Sequence, residues 1–128
     1  MQIAHTHTAR EVGTRTAFGA LTALLLAAAI AELLNHGSGW WQFIAFALAP
    51  DLALLLGIST KGEKGQLHPR GVRLYNALHS YWGPIALAVA AIVLPAGYLI
   101  APLAWALHIS LDRTVGYGKR TRDGFQRA

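Results

Sequence analysis

The sequence predicts an all-α fold, a transmembrane bundle of four helices with antiparallel neighbours and both termini in the cytoplasm (N-in/C-in). Three observations lead there. Four long apolar stretches fill most of the 128 residues, of which 54% are hydrophobic and 13% charged. The 11 Lys and Arg residues gather at or beyond the ends of those stretches. They also occupy alternate gaps. Arg10 and Arg15 precede or open the first stretch, and Lys61, Lys64, Arg70 and Arg73 lie between the second and third. Arg113, Lys119, Arg120, Arg122 and Arg127 close or follow the fourth, while the gaps 35–39 and 94–97 hold neither Lys nor Arg. Basic residues concentrate on the cytoplasmic side of spanning helices, so this alternation orients the chain.

Taken in order, residues 1–14, with His5 and His7, read as a mobile or surface-lying tail. The first span is expected over 15–34, rich in alanine and so suited to close helix packing. Ala29-Ile30-Ala31 has the form of a signal-peptide cleavage site, but only the uncleaved four-span reading places every charge correctly. Asn35 to Gly39 form an outer turn, and Trp40 and Trp41 open the second span, 40–57, at the interface that amphipathic rings prefer. The stretch 58–71, with Gly62, Gly65 and Pro69, reads as an exposed connection. The third span is expected over 72–94 and the fourth over 97–115, ahead of a basic, glycine-punctuated tail. Spans of about 20 residues leave no length for a separate soluble domain, so residues 1–128 form one integral membrane domain.

Several function classes fall away. The net charge of +5 sits beside span ends, where anionic lipid headgroups account for it, so no nucleic-acid partner is expected. The absence of cysteine excludes disulfides, thiolate metal sites and Cys nucleophiles. Ser59, Ser80 and Ser110 lack the turn context of a nucleophile elbow. Trp40, Trp41, Tyr98 and Trp105 read as interface anchors or packing. Gly116-Tyr117-Gly118-Lys119 has part of a phosphate cradle without the strand and helix that normally frame one. Its amides, with Lys119, Arg120 and Arg122, could still meet a lipid phosphate.

Ionisable groups inside a bilayer cost several kcal/mol, so they mark function by default. At 1.5 Å per residue, Asp51 and His79 lie about 9 Å from the cytoplasmic ends of their spans, His108 about 10 Å and Asp112 about 5 Å. Glu32 lies near the outer end of the first span and stays apart. His108 and Asp112 are four residues apart and share a helix face, as do Asn76 and His79 at three apart. Pro50 can turn Asp51 inward, and Pro84 can act similarly one turn past His79. Asp112 near a helix C-terminus calls for a compensating cation: Arg113, an imidazolium or a metal ion.

Two imidazoles and two carboxylates from three helices suit a divalent ion such as zinc, manganese or iron. The same four residues could serve without metal as general base and orienting acid, or as a proton or cation relay. Haem ligated by His79 and His108 would leave both aspartates without a role. Buried His, Asp and Asn can also simply stitch helices together.

Ala49-Pro50-Asp51-Leu52, Tyr75-Asn76-Ala77-Leu78-His79 and His108-Ile109-Ser110-Leu111-Asp112-Arg113, followed by Gly116-Tyr117-Gly118 and Gly124-Phe125, resemble the domain of unknown function 4260 family. The resemblance covers 40–125 and implies a small integral protein of the bacterial cytoplasmic (inner) membrane. It also implies that Asp51, Asn76, His79, His108, Asp112 and Arg113 belong together. Separately, the arrangement is similar in style to membrane-bound metal-dependent hydrolases, which by analogy suggests a metal-dependent hydrolase or transferase acting on a lipid or phosphorylated substrate at the cytoplasmic face. Asp51, His79, His108 and Asp112 would be its catalytic and metal-binding residues. Asn76, Arg113, Lys119 and Arg120 would support the site and hold the anionic group. The alternative is a non-enzymatic membrane subunit or an ion- or proton-conducting protein whose polar cluster is structural.

Overall fold

A computed structural model describes residues 8–57, 63, 65–95 and 97–126, with the backbone alone at 56 and 57. His5, His7, Ser59, Lys61, Gly62, Lys64 and Arg127 lie outside them. Helices account for the ordered elements: α1 (Ala9–Asn35), α2 (Trp40–Leu48), α3 (Pro69–Leu78), α4 (Trp82–Ile92) and α5 (Ile100–Thr114), with 3₁₀ segments Gly37–Gly39 and Ala49–Gly57. The described residues contain no strand, only an isolated antiparallel bridge between Arg120 and Gln126.

α1 starts six residues before the span expected at 15, because Thr8 and Glu11 form a capping box. The Thr8 hydroxyl accepts from Glu11 N at 3.2 Å, and the Glu11 carboxylate accepts from Thr8 N at 2.7 Å, satisfying donors that a helix start leaves orphaned. Residues 9–14 are therefore helix rather than tail. α1 is long and apolar enough to cross a membrane, and among the described residues no other single helix is; α4 is a shorter apolar helix.

The stretches expected as a second and third span are each broken. α2 passes into 3₁₀ geometry at Ala49-Pro50, and α3 ends at Leu78, with α4 starting after Tyr81. Pro84 does not kink a helix. It is the third residue of α4, where a missing N–H costs no intrahelical bond. α3 also begins earlier than expected, at Pro69, whose fixed φ suits a first helical position, with His68 Nδ1 accepting from Arg70 N at 3.1 Å.

α5 lies at the centre. Its buried residues Ile100, Ala101, Ala104, Leu107, Ile109 and Ser110 face different directions, toward α1, α2 and α4 packed around it. α1 runs antiparallel to α5: Arg15 Nε donates to Thr114 O at 2.9 Å at one end, and His36 packs on Gly97 at the other. Many of the buried residues are small (Ala29, Gly39, Ala53, Ala91, Ala101, Ala104, Ser110), whereas Leu24, Leu34, Leu55, Trp82, Val89, Ile92 and Val93 are exposed.

α5 stops in a paired C-cap. Gly116, with φ of 98°, donates to Arg113 O at 3.3 Å, and Tyr117 N donates to Asp112 O at 2.8 Å. This is the geometry by which glycine closes a helix. The Gly116-Tyr117-Gly118 run is thus a helix stop. The tail then turns back through Gly124 (φ 96°), whose carbonyl accepts from Leu67 N at 2.8 Å.

Candidate metal centre

Each of the two histidines is oriented by a helix that ends beside it. In the 3₁₀ register of Ala49–Gly57 the donor for Ala47 O would be residue 50, and Pro50 has no N–H. That carbonyl accepts instead from His108 Nδ1, at 2.6 Å. His79 is the C-cap of α3, and its Nδ1 donates back to Tyr75 O at 2.8 Å. A carbonyl can only accept, so both rings carry a proton on Nδ1 and turn Nε2 inward, as a lone pair wherever the ring is neutral.

Those two Nε2 atoms lie 3.2 Å apart. Asp51 Oδ1, from the 3₁₀ segment, is 3.3 Å from each of them. Asp112 Oδ2, one turn along α5 from His108, is 3.3 Å from His79 Nε2 and 3.4 Å from His108 Nε2. Four acceptor atoms, one per residue, thus fall within 4.8 Å of one another. Zinc bonds of about 2.0–2.1 Å in tetrahedral geometry would separate ligand atoms by about 3.3–3.4 Å. The His–His and His–Asp spacings of 3.2–3.4 Å fit that figure. The four atoms as a set extend to 4.8 Å, so the two carboxylates would have to draw in around an ion. Four acceptors facing inward repel unless a cation or an added proton lies between them, so the group could hold a metal ion.

The centre has one closed and one open side. The His79 side chain is 1% exposed and that of His108 11%, while Asp51 is 47% exposed. Water and a ligand can therefore approach past Asp51. A porphyrin does not fit between ring nitrogens 3.2 Å apart, which removes bis-histidine haem.

The four residues expected at one depth are brought together, and Glu32 faces His36 at 3.8 Å instead. The other expected residues are engaged elsewhere. The Asn76 amide pairs with the backbone of Arg120, accepting from its N at 2.7 Å and donating to its O at 3.0 Å. Arg113 does not pair with Asp112, whose compensating charge is left to a protonated imidazole or a metal ion. Its guanidinium donates to His79 O at 3.1 Å and lies over the rings of Phe18 and Tyr81. Arg120 lies over Tyr75, and Lys119 is exposed.

Three residues that matter here were missed as site residues. Trp105 Nε1 donates to Leu78 O at 2.7 Å, Tyr75 stacks on His79 at 3.9 Å, and the Tyr81 hydroxyl bonds Ser110 Oγ at 2.7 Å. The signal for Tyr75 was its place one turn before His79.

The family model described as "Domain of unknown function (DUF4260)" matches residues 18–128. No curated protein and no solved structure matches the chain.

Proposed function

The chain belongs to the DUF4260 family, and from the centre its fold builds we propose a metal-dependent membrane hydrolase or transferase. It acts on a lipid or phosphorylated substrate at the cytoplasmic face of the cytoplasmic membrane. One observation carries this reading: two imidazole Nε2 atoms, aimed by their Nδ1 partners, each lie 3.3–3.4 Å from both carboxylate oxygens. An acceptor that takes the other ring N–H of a ligating histidine is the usual device for orienting it toward a metal. A divalent ion there supplies Lewis-acid polarisation of a phosphoryl or carbonyl oxygen and lowers the pKa of a bound water.

Asp112, His79 and His108 form the closed side of the site. Asp51 stands on the open side, where substrate enters, and can ligate the ion or take a proton from the attacking water. The exposed cations Arg10, Arg70, Arg73, Lys119 and Arg122 support contact with anionic headgroups. Small residues inside and large apolar ones outside support a bilayer as the surrounding medium, with four spans and both termini cytoplasmic.

Metal analysis of the protein purified in detergent tests the reading. One divalent ion per chain is expected, absent from His79→Ala and His108→Ala, with phosphoester hydrolysis abolished by chelator and restored by the ion. A metal-free protein whose variants lose only stability would overturn it. The Nε2 to Nε2 contact of 3.2 Å also suits a shared proton, which favours as second reading a non-enzymatic or proton-conducting membrane protein.

A further inference from the structure

The geometry points to a clamp, in which the C-terminal tail positions His79 through two residues that never reach the ion, Tyr75 and Arg120. It rests on the metal reading above. The Tyr75 ring is stacked on the His79 imidazole, centroids 3.9 Å apart and planes 17° from parallel. With that face covered, the Arg120 guanidinium occupies the other, 4.9 Å from the ring centroid. Arg120, Tyr75 and His79 thus form one pile that ends at the cluster.

The tail holds this pile from several directions. The backbone of Arg120 is fixed by both ends of the Asn76 amide. Its NH1 donates to Gly65 O at 2.9 Å and to Gly124 O at 2.8 Å. Gln126 Nε2 reaches the Tyr75 hydroxyl at 3.4 Å. The Asn76 and Tyr75 contacts grip α3 within its last turn before His79, and the two NH1 bonds tie Arg120 to the segment before α3 and to the tail itself.

Arg120 Nε is buried and has no acceptor. An unpaired buried N–H is costly, so burying Nε calls for a reason beyond the two bonds that NH1 makes to Gly65 O and Gly124 O. A planar cation over the tyrosine face does give one. Tyr75 and Arg120 are therefore positioning residues: they hold the imidazole plane so that Nε2 stays aimed at the two carboxylates.

Cobalt(II) titration of the full chain in detergent, read by visible absorption and chelator competition, tests the clamp. Tyr75→Leu and Arg120→Ala should each weaken cobalt binding about ten- to a hundred-fold, the range for groups that orient a ligand. Their absorption bands should shift, and the thermal stabilisation that cobalt adds over the metal-free protein should shrink. Tyr75→Phe keeps the stack and should bind as the wild type does. Should Tyr75→Leu bind cobalt with wild-type affinity and spectrum, the clamp is wrong while the metal reading stands. A wild-type chain that takes up no cobalt overturns both.

Discussion

Pro50 shows how one residue can set a ligand's protonation pattern without touching it. Because residue 50 lacks an N–H, Ala47 O is left to His108 Nδ1, and His108 Nε2 becomes the lone pair that faces the cluster. Pro50→Ala restores a donor that competes for that carbonyl. Zinc affinity, measured by chelator competition, should fall about tenfold or more, with the ion still bound, unlike the loss expected in His108→Ala. Unchanged affinity would mean that the ring is held by packing alone. At this scale the sequence was informative about which groups meet. The four-residue spacing of His108 and Asp112 and the matched depths of Asp51 and His79 needed only helix geometry. The partners of the Nδ1 atoms were not legible, because they are main-chain carbonyls beside local breaks that composition does not reveal. Asn76 was grouped with the site by its place on the His79 face, yet its amide binds the tail, which lies far along the chain.

At the scale of elements, the breaks in the apolar stretches decide where the site forms. A helix that ends among apolar neighbours leaves carbonyls that need donors. α3 ends this way, and side chains meet its last carbonyls: Trp105 Nε1 on Leu78 O and Arg113 on His79 O. His79 Nδ1 adds a second donor to Tyr75 O, which already accepts from His79 N at 3.0 Å. Gly83 lets α4 lie close enough for this, since a Cβ there would collide with the Trp105 ring. Trp105→Phe keeps the ring face but removes the donor, leaving Leu78 O unsatisfied at a cost of about 1–3 kcal/mol. Thermal unfolding in detergent should therefore start earlier. Trp82→Phe, at a side chain that is 79% exposed, should leave it unmoved. Equal stability of the Trp105 and Trp82 variants would refute the capping role. Hydropathy alone cannot reveal such breaks, because a continuous apolar run scores the same whether or not the helix is interrupted. The capping box at Thr8 and Glu11 was legible as a pattern. It was passed over because the first stretch was bounded by charge instead.

For the whole molecule, the distribution of charge and of side-chain size leads to the same arrangement. The antiparallel pairing of α1 and α5 gathers Arg15, the tail and the residues around Gly65 at one end. His36, Gly39 and Gly97 gather at the other, the end without Lys or Arg. A bilayer crossed four times would therefore put Ser38 outside and Glu63 inside. If α1 alone crosses, both residues follow the same crossing and lie on one side. The chain has no cysteine, so single reporters can be introduced without background. Ser38→Cys in intact spheroplasts should react with a membrane-impermeant maleimide, and Glu63→Cys should react only after lysis. Equal labelling of the two would leave α1 as the lone span and the rest of the chain at the surface. The opposite pattern would invert the bundle and move the half-exposed Asp51, with the open side of the centre, to the outer face.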